Sequence, residues 1–336
     1  MRTSHSHVPS SRRALKSLLA AASLLGAGMA PSPAQDAKPA PAADGFYKFI
    51  NATGGRFTDE EISWTLDGKT WHTLKEAPTA PAKLGGGGRV NFKMTDSKTG
   101  ETWKDFIEFT HGNAGWFGNT TQVDAFVIPL TIELVGNDGS SHKVGIEESR
   151  AKLFELFRKQ APKEFQSLVQ DNKQIVSPHR ADFQQGKANG DYFAKYVDEV
   201  WAAYAQPKTL ESGWTGKIDD TGALIFTKPG EKDLVLHKKP TTTEILLGTN
   251  ELGRSPGFCA AFNRHVAEDP GKWKDASAYY QKEPYNFYAK FWHEHALGGK
   301  AYGFCYDDYN QQDTLVHVKD PKELIVTLYW DKPPAP

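Results

Sequence analysis

The sequence predicts a β-rich α+β fold, a sandwich or barrel of short strands interrupted by a helix-rich insertion. Three observations carry this. Residues 46–146 are dense in aromatic and β-branched residues broken by turn signals, the hydrophobic period then lengthens to that of helices, and strand-like segments return at the C-terminus.

The 336-residue chain does not begin as a folded domain. Arg12, Arg13 and Lys16 precede the apolar run "SLLAAASLLGAGMA", and small residues follow to Ala34. Residues 1–34 therefore read as an export signal, too short in its apolar part to span a bilayer. "SRRALK" fits a twin-arginine signal, and ordinary Sec export fits too. The expected location is periplasmic or secreted. The signal holds Arg2, Arg12, Arg13 and Lys16 and no acid, so its removal takes the formal net charge from −1 to −5. A mildly acidic exported chain is a poor ligand for nucleic acid, and no membrane segment is expected after cleavage. Residues 35–44, "QDAKPAPAAD", read as a Pro/Ala linker.

Between residues 45 and 146, "FYKFINAT", "SWTLDGKTWHTL", "RVNFKM", "WKDFIEFT" and "VDAFVIPLTIELV" read as strands, with turns at Asp67-Gly68 and Asp138-Gly139. "LGGGGR", residues 84–89, lacks the Lys-Ser/Thr of a phosphate loop and reads as a flexible turn. Over residues 147–300 the period is helical. Leu153, Phe154, Leu156 and Phe157 form one stripe, and Pro162 opens a second short helix. Phe193, Tyr196, Val197, Val200, Trp201 and Tyr204 line a third helix capped by Asp191, and this aromatic stripe reads as core. Strands follow at "ALIFTK" and "DLVLHK", then helices at "SPGFCAAFNRHV" and "EPYNFYAKFWHEHALGG", each with Pro in its first turn. Residues 301–336 are expected to return three strands to the β domain.

Cys259 and Cys305 are the two cysteines, and an oxidising compartment permits a disulfide between them. Loop entropy alone would make it worth about 4 kcal/mol. "WHEHALGG" does not read as a metal site, because His293 and His295 are two apart and leave a helix on different faces.

The chemistry centres on "EFTHGNAGWFGNTTQVD", which opens with Glu108 and closes with Asp124 around a Gly-rich stretch read as a loop. In "DFIEFT" alternation places Glu108 with Phe106 and Thr110, opposite Ile107 and Phe109. Two carboxylates either side of a sugar are what glycoside hydrolysis requires. Phe106 and the Trp116-Phe117 pair would desolvate Glu108 and favour its protonated form, while Asn119, Thr120, Thr121 and Gln122 could hydrogen-bond Asp124 and keep it ionised. That makes Glu108 the expected acid and Asp124 the expected base, although acids at strand ends are common without catalysis.

"DFIEFTHGNAGWFGNTTQVDAFVIPL" resembles the catalytic segment of glycoside hydrolase family 64, bacterial β-1,3-glucanases related to thaumatin-like proteins. The similarity continues in "SRAKLFELFRKQAPKEFQSLV", "YFAKYVDEVWAAY", "GFCAAFNRHV" and "YGFCYDDYNQQ". The resemblance implies a thaumatin-like β-sandwich or barrel domain with an inserted mixed α/β domain and a wide groove between them. It implies an inverting endo-β-1,3-glucanase with Glu108 as general acid and Asp124 as general base, roughly 6.5–9.5 Å apart. Some members release laminaripentaose. The implied partner is β-1,3-glucan, such as laminarin, a curdlan-like polymer or fungal cell-wall glucan, with no cofactor and a monomeric enzyme. Trp116 would stack on a pyranose, or else cover the loop. Thr110, Asn113 and Thr121 would contact substrate. Asp307 of "CYDDY" would orient substrate or stabilise a turn, with Tyr306, Tyr279 and Tyr280 as sugar platforms. The rival reading is a non-catalytic β-glucan-binding protein, a further one a structural or inhibitor module. Retention of both acids favours the enzyme.

Overall fold

The computed structural model describes residues 45–81 and 85–331. The expected export signal and the linker at 35–44 lie outside the described residues. The first ten strands are β1 Tyr47–Ala52, β2 Ile62–Thr65, β3 His72–Thr73, β4 Thr79–Ala80, β5 Gly86–Thr95, β6 Thr102–Gly112, β7 Gly115–Thr120, β8 Ala125–Phe126, β9 Leu130–Gly136 and β10 Ser141–Gly145. Helix α1, Arg150–Gln160, follows, then β11 Val169–Gln170, β12 Gln174–Val176 and α2 Ala194–Ala203. A small sheet, β13 Lys208–Thr209, β14 Thr215–Ile218, β15 Leu224–Thr227 and β16 Leu234–Leu236, precedes α3 Thr242–Leu247, α4 Pro256–Asn263 and α5 Phe287–His295. The chain closes with β17 Val316–Val318 and β18 Pro321–Tyr329.

Two large sheets form from the outer parts of the chain. One has the order β10-β9-β18-β1-β4 and the other β17-β7-β6-β5-β2-β3. All pairings in them are antiparallel except β1 with β18, which is parallel. Alternation gives each sheet one apolar face, and these faces meet: Tyr47 packs on Phe109, and Phe49 on Phe92 and Trp64. Neither sheet closes into a barrel among the described residues. A second core surrounds α1, α2, α4 and α5, and joins Phe126 of β8 to Phe157 and Trp292.

The helices form where the stripes predict. Ser149 caps α1, its hydroxyl accepting the Lys152 N–H, a contact worth about 1 kcal/mol. Tyr196, Val197, Val200 and Trp201 are buried along α2, as the aromatic stripe requires of core. Several expectations need correction. Residues 112–118 are not a loop: β6 and β7 form a hairpin turning at Asn113-Ala114, with Gly115 at φ 102°. Gly86, Gly87 and Gly88 are strand residues paired with His111, Thr110 and Phe109, not a flexible turn. Phe193 stands at the start of α2, and no side chain, Asp191 included, caps it. Asn286 rather than Pro284 opens α5, accepting the Ala289 N–H at 3.2 Å. Two closing strands, not three, follow residue 301 among the described residues.

Candidate active site

β5 and β6 pair in register over ten residues, and this sets Arg89 opposite Glu108 and Asn119 of β7 on its other side. Glu108 is 2% exposed. Arg89 Nε and Nη2 donate to Glu108 Oε1 at 3.0 and 2.8 Å, and the guanidinium lies 3.9 Å over the Phe106 ring. The nearest polar partner of the predicted acid is therefore a cation from the neighbouring strand, stacked on one of the aromatics expected to desolvate it. Thr110 and Phe117 sit opposite each other on the same face, and Phe117 stacks on His317 of β17 with ring centroids 3.9 Å apart.

Asp124 lies between β7 and β8. Its backbone is anchored, the Asp124 carbonyl accepting the Ser177 N–H at 3.0 Å, and Gln122 N–H donating to the Tyr302 carbonyl at 2.9 Å. Asp105 of β6 accepts the N–H groups of Val127 and Ile128, at 3.2 and 3.0 Å, and Arg150 Nε donates to the Val127 carbonyl at 2.8 Å. The segment is thus tied to β6 three residues from Glu108 and three from Asp124. Burial acts to raise the Asp124 pKa, but contact with His179 and the charges of Arg180, His179 and Arg89 outweigh it and hold the carboxyl below its usual range. Arg180 Nη1 is 3.3 Å and His179 Nε2 3.8 Å from Asp124 Oδ1. These two residues do what the neighbouring amides and hydroxyls were expected to do. Asn119 Oδ1, Thr120 Oγ1 and Gln122 Oε1 are instead buried with no hydrogen-bond partner among the described residues.

Arg89 bonds Glu108, and its charge is a lesser influence on Asp124, behind those of His179 and Arg180. A further acidic group approaches from the C-terminal segment. The buried Tyr302 hydroxyl is held well above its usual pKa by burial first, and by charges that include Asp308, Asp313 and Glu108. Burial and neighbouring aspartates push Asp308 up to about 6 and Asp313 up to about 7.

Other predicted residues go elsewhere. Trp116 is fully buried, stacked on Phe109 and donating to the Tyr47 hydroxyl at 3.4 Å, so it has no face for a sugar. Its ring lies over Gly118, where a Cβ would come within 2.1 Å of it. Asn113 is exposed at the hairpin turn, and Thr121 is buried with its hydroxyl accepting the Val123 N–H. Asp307 is fully buried and cannot touch a substrate: Arg264 Nη2 donates to Oδ1 at 2.8 Å, while His293 Nε2 and the Gly303 N–H reach Oδ2 at 3.0 Å. The Tyr306 hydroxyl donates to the Gly253 carbonyl at 2.9 Å. Tyr279 is buried, which removes it as a platform, while Tyr280 is half-buried with its hydroxyl enclosed. His293 belongs to the Asp307 cluster and His295 packs on Phe291. No disulfide joins Cys259 to Cys305; Cys259 Sγ instead meets the Ile245 carbonyl at 3.3 Å and the Cys305 carbonyl at 3.6 Å. A surface hollow beside α1 is lined by Arg158, Gln166, Val169, Asp171 and Asn172, and none of the predicted site residues lines it.

Sequence reasoning missed Arg89, Asp105, Phe117, His179 and Arg180. Phe117 was within reach: in a hairpin turning at two residues, it faces the same way as Glu108, and Trp116 the opposite way. Arg89 stood next to a glycine run read as a turn. His179 and Arg180 carry no local signal.

Glu108 and Asp124 thus stand on separate elements, each beside a cation. The β-1,3-glucanase model of glycoside hydrolase family 64 matches residues 91–328, and the chain belongs to that family. Curated glucan endo-1,3-β-glucosidases of Arthrobacter sp. (strain YCWD3) and Cellulosimicrobium cellulans are each 26% identical over 251 residues, 67% of this chain and 45% of theirs. The chain thus spans less than half the length of those relatives. The fold matches a family 64 β-1,3-glucanase domain from Clostridium beijerinckii, with TM-score 0.75, 26% identity, and coverage of 87% of this chain and 100% of that one. It also matches the laminaripentaose-producing β-1,3-glucanase of Paenibacillus barengoltzii, with TM-score 0.69, 30% identity, and coverage of 87% and 76%. That enzyme has also been solved in complex with laminarihexaose.

Proposed function

We propose that this chain is an inverting endo-β-1,3-glucanase, with Glu108 as general acid and Asp124 as general base. The observation that carries the reading is that the two carboxylates stand on different elements, each beside its own cation, Glu108 bonded by Arg89 and Asp124 beside Arg180 and His179. Glu108 gives its proton to the glycosidic oxygen as the C1–O bond breaks. Asp124 takes a proton from the water whose oxygen bonds C1 from the other side. The activities of the family relatives, and the laminarihexaose complex of one of them, support β-1,3-glucan as the substrate class. Laminaripentaose as a product follows the Paenibacillus relative.

The same reading takes the protein as exported by residues 1–34 and monomeric. Its glucan groove lies between a thaumatin-like part, residues 45–146 and 301–336, and the inserted residues 147–300.

Incubation with laminarin, read by reducing ends and by proton NMR of the first product, tests it. The α-anomer should appear first. Glu108→Gln and Asp124→Asn should each lose on the order of 10²–10⁴ in rate while staying folded. A β-anomer would make Asp124 a nucleophile, and glucan binding without hydrolysis by the unaltered protein would make it a binding module.

A further inference from the structure

Arg89 holds Glu108 in an asymmetric way. Nε and Nη2 both donate to Oε1, at 3.0 and 2.8 Å, rather than one to each oxygen as in a fork-to-fork pair. Oε1 therefore accepts two N–H groups, and among the described residues no hydrogen bond engages Oε2. Phe106, one strand over and beneath the guanidinium at 3.9 Å, holds it flat against the sheet. The other long cation on the same face of β5, Lys93, sits over Trp71 at 4.7 Å and is committed there. Asp124 has a cation of its own in Arg180.

Resting on the reading of Glu108 as the acid, we propose that Arg89 is the positioning residue for proton donation: it occupies Oε1, so that Oε2 carries the proton, and it stabilises the carboxylate left behind. In that step the Oε2 proton passes to the glycosidic oxygen, which also receives the electron pair of the breaking C1–O bond. Glu108 goes from neutral to anionic at 2% exposure, where an unpaired charge would be costly. The charge develops against a guanidinium already in place, so no group has to move to meet it. A lysine in the same place would supply charge without the two-donor grip on a single oxygen.

The test compares two substrates. Laminarin needs its leaving oxygen protonated; a 2,4-dinitrophenyl β-laminarioligoside does not, because its phenolate leaves unaided. Arg89→Met should lower kcat on laminarin by on the order of 10²-fold, with KM within a few-fold, while the rate on the dinitrophenyl substrate stays within about fivefold. If Arg89→Met does not fold, Arg89→Lys carries the same comparison, with a smaller but equally substrate-selective loss. Equal losses on both substrates, or full laminarin activity in either folded variant, overturn the proposal. Glu108→Gln with Arg89 intact is run beside them. Laminarin hydrolysis by that variant would instead refute Glu108 as the acid, and none by the unaltered protein would refute the glucanase reading itself.

Discussion

Asp105 Oδ2 accepts the backbone N–H of Ile128 at 3.0 Å, and so binds the strand that carries Glu108 to the segment that carries Asp124. The Val127 N–H shares the same oxygen at 3.2 Å, while Arg150 holds the Val127 carbonyl from the other side. A side chain that need not meet substrate therefore ties together the two segments that carry the acids. Asp105→Ala takes the carboxylate acceptor from three backbone donors, the N–H groups of Phe106, Val127 and Ile128, and should cost about 1–3 kcal/mol of stability. It should also cut laminarin hydrolysis by up to about 10²-fold through misplacement of Asp124. Denaturant melts beside a reducing-end assay check both.

The same residue predicts a pH dependence. Burial pushes Asp105 up to about 7, against the three N–H groups it accepts. Its folded pKa exceeds its unfolded one, so the folded state binds the proton more tightly. The stability it contributes is complete below the unfolded value near 3.8 and is lost as pH rises to and through about 7. The stability difference between Asp105→Asn and the unaltered protein, followed by denaturation from pH 4 to 8, should shift in favour of the variant as pH rises.

Trp116 and Phe117 should separate cleanly. Trp116→Ala opens a cavity in the core between the two sheets and should cost about 3–5 kcal/mol. Phe117→Ala should leave melting nearly unchanged but weaken binding of laminarin oligosaccharides by about 1–3 kcal/mol, since its ring is partly exposed on the Glu108 face. Titration calorimetry and thermal melts read the two. The reverse pattern would return the stacking role to Trp116.

The Arg264–Asp307–His293 cluster is a buried ionic network. Arg264 and Asp307 are 1% and 0% exposed. Arg264→Met should destabilise by about 3–5 kcal/mol, because it strands the Asp307 charge. Burial acts to lower the His293 pKa, but Asp307 and the Gly299 carbonyl outweigh it and raise it above its usual value. Its contribution is therefore full below about 6.5 and lost as pH rises through the folded value. His293→Gln should flatten the fall in stability on the alkaline side of neutrality, as measured by melts from pH 6 to 9.

Cys259 and Cys305 are not joined, and burial raises the Cys259 thiol well above its usual pKa. Reductant should leave the melting temperature unchanged, and thiol titration of the unfolded protein should count two. A drop of several degrees on reduction would mean that a bridge forms.

The sequence by itself determined the features that depend on near neighbours. Alternation along "DFIEFT" placed Ile107 and Phe109 in the core and Glu108 on the other face, and the structure keeps that division. Helical spacing located α1 and the buried stripe of α2, and Glu108 and Asp124 stood in the segment that carried the family resemblance. Tertiary structure alone decided what surrounds them. Arg89 reaches Glu108 through strand register, and Arg180 and His179 reach Asp124 from more than fifty residues away. Whether Trp116 or Phe117 faces the site turned on one residue of hairpin length, because a single step along a strand reverses the side chain. The acidic "CYDDY" segment looked like a substrate contact until Arg264 and His293 closed around Asp307. Local pattern fixes which face a residue occupies; its partner is set by contacts between segments far apart in the chain, which no window of sequence contains.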